Sequence, residues 1–244
     1  MSVYDLIEYE EFEEAIEAIN GGADVNEKNR RGRSLHYAAA SSGRLDIIKL
    51  LIEKGLPLSL GEEEDAFIWN AAAGSGNLEL VKFILENGQR DLNDGLRAAS
   101  LDAHLDLIKY FVEEKDVDVN FSKSIIVKGM TEIETMREQP LSAVCMGSTY
   151  GKYEEENSLD DPDILDRVIK SMRFLLENGA QINAHGRFGN TALHFAAKDS
   201  HIKLAEFLLE NGADINAKND DGETPLTYAD KKDTKVKALI KAFK

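Results

Sequence analysis

The chain reads as an all-α repeat solenoid, a stack of helix-turn-helix units joined by short β-hairpin loops. Two observations carry that expectation. Residues 184–216, AHGRFGNTALHFAAKDSHIKLAEFLLENGADIN, form one complete unit, and most of the chain consists of weaker copies of it. An aliphatic residue followed by Asn, just past a helix end, recurs at Val25-Asn26, Leu92-Asn93, Val119-Asn120, Ile182-Asn183 and Ile215-Asn216, with 33 residues from Asn183 to Asn216.

Within the template unit, Thr191 is a helix N-cap whose hydroxyl is free to accept an unpaired N–H of the first turn. The Ala-rich segment after it, ALHFAAKDS, is too short to stand alone as a helix and must be held by packing. A second helix, IKLAEFLLEN, puts Ile202, Ala205, Leu208 and Leu209 on one face. Asn211-Gly212 supplies the left-handed residue that ends it. Ala196 and Ala197 let the two helices approach closely. Such a hairpin cannot bury its apolar surface by itself, so it needs neighbours.

The second-helix pattern supplies them: LDIIKLLIEKG, LELVKFILENG, LDLIKYFVEEK, VIKSMRFLLENG and IKLAEFLLENG. A period near 33 with two helices per unit resembles the ankyrin repeat. GNTALHFAA (189–197) and GETPLTYA (222–229) match that family's G-x-T-P-L-H-x-A-A, with Ala192 for Pro in the first and Thr227 for His in the second. The resemblance implies an ankyrin helix-turn-helix stack over nearly the full length. It places unit boundaries at 1–27, 28–60, 61–93, 94–120, 121–183, 184–216 and 217–244, in a single repeat domain.

Taken in order, residues 1–27 are expected to form a capping unit. A helix in EEFEEAIEAINGG carries Phe12, Ala15, Ile16 and Ile19 on one side, and eight acidic but no basic residues precede Asn26. A terminal repeat needs a polar outer face; a functional acidic patch is the other reading. The second unit opens with Lys28, Arg30, Arg31 and Arg33 at a hairpin tip. Its SLHYAAASSG aligns two ways. Without a gap, His36 falls where Leu193 sits; by motif, Leu35-His36 match Leu-His, and the motif match is preferred. The third unit replaces the usual turn with GEEEDAFIWNAAAGSGN and holds Trp69, while in the short fourth unit DGLRAAS enters its helix directly.

The fifth unit is longer: 63 residues separate Asn120 from Asn183. FSKSIIVKGMTEIETMREQ, with β-branched residues on both sides of Lys128-Gly129, reads as a lengthened β-hairpin. After the helix PLSAVCMG, STYGKYEEENSLDDPD is a solvated loop with six carboxylates among residues 154–163. Asp160 or Asp161 before Pro162 starts the next helix. The seventh unit ends in a lysine-rich amphipathic helix from Lys231 to Lys244, read as a C-terminal cap; a membrane-surface helix is the sharper alternative.

Composition bounds the partner. Of 244 residues, 43 % are apolar and 30 % charged, with a net charge of −16. That sign repels nucleic acid and anionic membrane over most of the surface and steers toward a basic protein partner; the alternative is that it simply keeps the chain soluble. There is no run of 18 apolar residues, no secretory signal is visible, and the single Cys145 fits a reducing, cytoplasmic location. A monomer is expected, and secretion as an effector stays open.

Five histidines invite a metal reading. The resemblance instead gives His36 and His194 a structural role in bonding neighbouring turns, and His104 and His201 the family position before a second helix. His185 lies in a loop. No metal-ligand spacing, CxxC companion for Cys145, phosphate-cradling loop or nucleophile elbow at Gly147-Ser148 is present, so neither a cofactor nor a catalytic residue is expected. An enzyme with a site in the fifth-unit insertions, near Cys145 or His185, is the competing hypothesis.

What remains is binding. The resemblance implies a non-enzymatic protein–protein interaction module that uses hairpin tips and the faces of the first helices. The candidate residues are Arg30, Arg31 and Arg33 in the second unit. In the fifth they are Lys128, Met130, Met136, Tyr150, Tyr153, Glu154 and Glu155, and in the sixth Arg187, Phe188, Asn190, Lys198 and Asp199. Phe188 beside an arginine is the residue type of a binding hot spot; packing against the adjacent hairpin is its alternative. A toxin to be neutralised, a host protein captured by a secreted effector and a pathway member are all partners the resemblance allows.

Overall fold

A computed structural model describes residues 1–126, 135–150, 161–198, 200–230 and 235–243. They group into two compact units, Met1–Ala98 and Ala99–Lys244.

The first unit is three helical pairs. In α1 (Val3–Glu8), Ser2 and Asp5 form a reciprocal capping box that satisfies two end N–H groups. It packs on α2 (Phe12–Asn20), through Ile7, Ala15 and Ile19, all at most 1 % exposed. The next pair is α3 (Leu35–Ser41) and α4 (Leu45–Glu53), and the third is α5 (Glu62–Gly74) and α6 (Leu78–Glu86). Alanines 38–40 of α3 and Ala72 and Ala73 of α5 are buried, which lets these helices pack side by side over the large Ile47, Leu51, Ile68 and Trp69. Arg44 lies 4.1 Å over the Phe12 ring and holds Asp46 in a two-armed ion pair.

The GEEED that replaces the usual turn begins a helix: four acidic residues form the first turn of the 13-residue α5, where carboxylates suit the positive end of the helix dipole. Two expectations change here. Leu92-Asn93 is no loop signature, because both residues lie in α7 (Leu92–Leu101), started by Asp91 accepting the Asn93 N–H. Finally, α3 begins at Leu35 with Ser34 as N-cap, its hydroxyl accepting the Tyr37 N–H. That is the ungapped alignment, with His36 in the leucine slot of Leu193 and Tyr37 in the slot of His194.

In the second unit, α8 (Leu105–Lys109) runs into a π-helical turn, Tyr110–Glu114. The enlarged hairpin forms as expected: β1 (Lys123–Ile126) pairs antiparallel with β2 (Thr135–Glu138), Lys123 opposite Glu138. Next come α9 (Pro140–Tyr150) and α10 (Pro162–Glu177), the latter capped by Asp161 with Pro162 at its first position. After them stand α11 (Ala192–Lys198), α12 (Ile202–Glu210), α13 (Pro225–Asp230) and α14 (Lys235–Ala242).

The loop asparagines show how the long fifth unit stays in phase. Asn183 donates to the Gly212 carbonyl and accepts the Asp214 N–H; Asn120 does the same with Gly179 and Gln181. The two latches are equivalent although the second spans about 30 more residues of chain. The helix after the insertion is therefore returned to the place a 33-residue step would give it.

Gly147 is where α9 packs most tightly. A methyl group there would overlap the Leu101 carbonyl. Gly147→Ala is expected to cost about 3 kcal/mol, the upper end for overpacking, despite its better helix propensity. Urea unfolding checks this: a midpoint shift equivalent to less than about 1 kcal/mol would show that the Leu101 backbone gives way.

Candidate functional site

Three hairpin tips can be compared residue by residue. In the second repeat Asn29 organises the tip: its side-chain oxygen accepts the N–H groups of Arg31 and Arg33, and Gly32 takes the positive φ of 76°. Asn219 repeats this in the seventh, accepting from Asp221 and Glu223, with Gly222 at 75°. The sixth tip departs from the pattern. Gly186 stands where those asparagines do, because a side chain there would collide with Ser142 of α9. Its turn is closed by the Asn190 N–H on the Arg187 carbonyl, and both central residues, Phe188 and Gly189, have positive φ of 58° and 68°. That is the type I′ arrangement, which favours Asn-Gly and disfavours an aromatic.

Phe188 thus occupies the slot of Arg31 and Asp221. Its side chain is 40 % exposed, with the Arg187 guanidinium 5.1 Å from its ring centre. Its backbone carbonyl accepts the Asp220 N–H of the next tip. The backbone is held in place while the ring faces solvent.

Below the tips, polar groups bind each first helix to its neighbour. The Nδ1 of His194 accepts the Thr191 N–H at 3.1 Å and the Thr191 hydroxyl at 2.9 Å, so its Nε2–H donates to the Glu223 carbonyl at 3.0 Å. The Thr191 hydroxyl is turned to this ring and not to a helix N–H. Burial holds the His194 imidazole below the usual histidine range, in keeping with a neutral, bonded ring. In the seventh repeat the Thr227 hydroxyl accepts the Thr224 N–H in the same way. The second repeat solves the problem differently. Glu64 of α5 accepts from both the N–H (2.9 Å) and the hydroxyl (2.6 Å) of Ser34, and its other oxygen lies 3.9 Å from Arg33. His36 therefore bonds no neighbouring turn. Glu64 is not singled out by the sequence, because it is one of four adjacent acidic residues and its partners Ser34 and Arg33 lie at least 30 residues away.

The candidate residues separate on this frame. Arg30 and Arg31 are exposed. Arg33 is not a free tip: its guanidinium lies 3.2 Å from the Phe67 ring centre and near Glu64, so it ties two repeats together. A cleft of about 460 Å³ has Lys28 and Arg31 on one side and Glu62 and Glu63 on the other, so the basic tip faces acids of its own chain. Asn190, expected outward, is 4 % exposed and accepts a hydrogen bond from Asn219. Arg187 and Lys198 are half-buried and Phe188 is exposed. Met136 and Tyr150 lie in β2 and α9; Lys128, Met130, Tyr153, Glu154, Glu155 and Asp199 lie outside the described residues. β2 packs beside the Arg187–Gly189 turn, so the fifth-unit hairpin and the Phe188 tip adjoin.

Cys145 is fully buried, its sulfur 3.7 Å from that of Met172, and burial pushes its thiol up to about 12, which keeps it protonated and out of reach as a nucleophile. His104 and His201 stand at the starts of α8 and α12, and His185 is an exposed loop residue. Among the described residues no group of His, Cys, Asp and Glu is arranged to hold a metal ion, and no helix is long and apolar enough to cross a membrane.

Short paired helices, glycine-closed tips and asparagine latches repeated along the chain define a helical-hairpin repeat scaffold. Residues 6–95 match the family model described as ankyrin repeats (3 copies), and residues 175–229 match that described as ankyrin repeats (many copies). The chain is an ankyrin repeat protein. The crystal structure of the human ASB11 ankyrin repeat domain superposes with a TM-score of 0.64 at 20 % identity, covering 100 % of this chain and 98 % of that one. No curated protein sequence matches the chain.

The histidine latch gives a direct test. His194→Leu keeps the packing volume but strands the buried Thr191 N–H and hydroxyl, while the Glu223 carbonyl keeps the Asn219 N–H. The expected loss is roughly 3 kcal/mol by urea unfolding, with two buried groups left unpaired.

Proposed function

We propose that this protein is a non-enzymatic interaction module that binds a protein partner, with Phe188 as the anchor. Ankyrin repeats are generally protein–protein interaction modules. The observation that carries the particular reading is an aromatic ring exposed at a tip position that is charged in the two comparable tips and whose backbone conformation disfavours it. Strain of this kind costs about 1–3 kcal/mol and gathers at binding sites. The neighbouring β1–β2 hairpin, absent from the regular unit, extends the same surface.

The net charge of −16 supports a partner with a basic face, and the acidic 154–163 segment lies in the same enlarged unit. The exposed arginines at 30 and 31 support an acidic partner less well, because Glu62 and Glu63 already face that tip. One cysteine, buried and unpaired with another, supports a cytoplasmic protein, and we take it to act as a monomer.

Phe188→Asn separates binding from folding. Asn suits the left-handed position, so the melting temperature is expected to rise, by the equivalent of about 1 kcal/mol. Proteins captured from native cells by the wild type and identified by mass spectrometry are expected to bind the variant at least about 30-fold more weakly, as for a hot-spot side chain. Equal affinity of the variant for every captured protein would remove Phe188 as the anchor. If the captured partner is basic, its association rate with the wild type falls as salt rises from 50 to 500 mM, values chosen to span roughly 14 to 4 Å of screening length. A flat salt dependence would remove the electrostatic half of the reading.

A further inference from the structure

His36 is fully buried on α3, and neither ring nitrogen has a hydrogen-bond partner. Buried polar atoms are nearly always paired, so two orphans on one ring call for an account. The register supplies part of it. His36 fills the slot held by Leu193 in the sixth repeat, where a side chain only packs. A neutral imidazole fits that volume; an imidazolium does not belong there, since a buried cation needs a partner.

The surroundings decide what protonation does. Helices α5, α4 and α1 pack against α3. Among their ionisable groups α1 carries Tyr4, Asp5 and Glu8, α4 carries Asp46, Lys49 and Glu53, and α5 carries Glu62, Glu63, Glu64 and Asp65. The two that act on the imidazole are Asp65 and Glu64, both favouring the cation. Each is already committed. Asp65 accepts from the Leu60 N–H and the Ser59 hydroxyl and lies 3.7 Å from Arg90. Glu64 is the carboxylate that caps Ser34 and joins the second repeat to the third.

We infer that His36 is an acid-sensitive latch: neutral, it packs as leucine would, and protonated, it draws Glu64 away from Ser34 and loosens the junction between the second and third repeats. The proton comes from solvent and no bond other than N–H is made. His194 has no such freedom, because both of its nitrogens are bonded in place. The direction with pH follows from burial, which pushes His36 down to about 4 against attraction from Asp65 and Glu64. An unfolded chain binds this proton near pH 6.5. Stability is therefore whole above that pH and drains away as pH falls toward 4.

Trp69, the single tryptophan, is buried in α5, the third-repeat helix that packs on α3, so its fluorescence reports loss of this packing. Urea unfolding of the full chain, followed by Trp69, should show the folded-to-unfolded ratio dropping between pH 7.5 and pH 5 by roughly 30-fold more in the wild type than in His36→Leu. His36→Leu should also be the more stable protein at pH 7.5. His36→Met serves if the leucine variant does not fold. Equal pH dependence of wild type and variant overturns the proposal. Hydrogen exchange at the Ser34 amide, corrected for the intrinsic effect of pH, tests the Glu64 movement. Faster exchange at pH 5 in the wild type alone is expected, and unchanged protection overturns the latch.

Discussion

A helix of seven residues has nearly as many unpaired backbone groups at its ends as paired ones within it, and it does not persist alone in water. Several first helices of this protein are that short: α3 and α11 have seven residues each and α13 six. Everything else in the fold answers this constraint. The second helices lend apolar area, and the buried alanines allow close approach. Then, in α3 and α11, a side chain at the helix start satisfies a local N–H and reaches the next repeat, as His194 does to Glu223 and Ser34 does to Glu64. Stability in such an array is a sum of nearest-neighbour terms. A change at one latch is therefore felt at that junction first.

Repetition made most of this legible in the sequence, because the physics is the same in each copy. The 33-residue period, the second-helix stripe and the Asn-Gly stops place α4, α6, α10 and α12. Asp161-Pro162 marks the start of α10, and the β-branched run marks the hairpin. The failures share a cause. A motif is a pattern of side chains, whereas register is set by which backbone group each side chain caps. Leu35-His36 looks like Leu-His, yet Ser34 is the residue able to cap, and this puts His36 one position early. Leu92-Asn93 has the look of a loop pair, but Asp91 before it starts a helix.

The candidate site was less legible, for a reason that lies in three dimensions. Arg30, Arg31 and Arg33 are alike in sequence, but the Phe67 ring and Glu64 carboxylate that occupy Arg33 arrive from another repeat. Asn190 and Phe188 are two residues apart on one tip. One turns in to meet Asn219, and the other turns out. No composition argument distinguishes such neighbours; only the partner 29 residues away does.

The departures from the template therefore differ in kind. At Ser34 and Glu64 the second repeat replaces the histidine bond with a carboxylate, which performs the same task and leaves a histidine without a hydrogen bond in the leucine slot. At the sixth tip no replacement of function is visible within the fold. The turn would close with asparagine at 188 and less strain, the Asp220 N–H would still find the same backbone carbonyl, and no core position would lose a contact. Among the described residues the one ring contact Phe188 makes is with Arg187, and this is why we propose a partner outside the fold to account for it. An exposed aromatic, stiffened by its backbone and flanked by a cation, has already lost the freedom that binding would otherwise take from it. The cost in stability and the aptitude for binding are the same conformational fact.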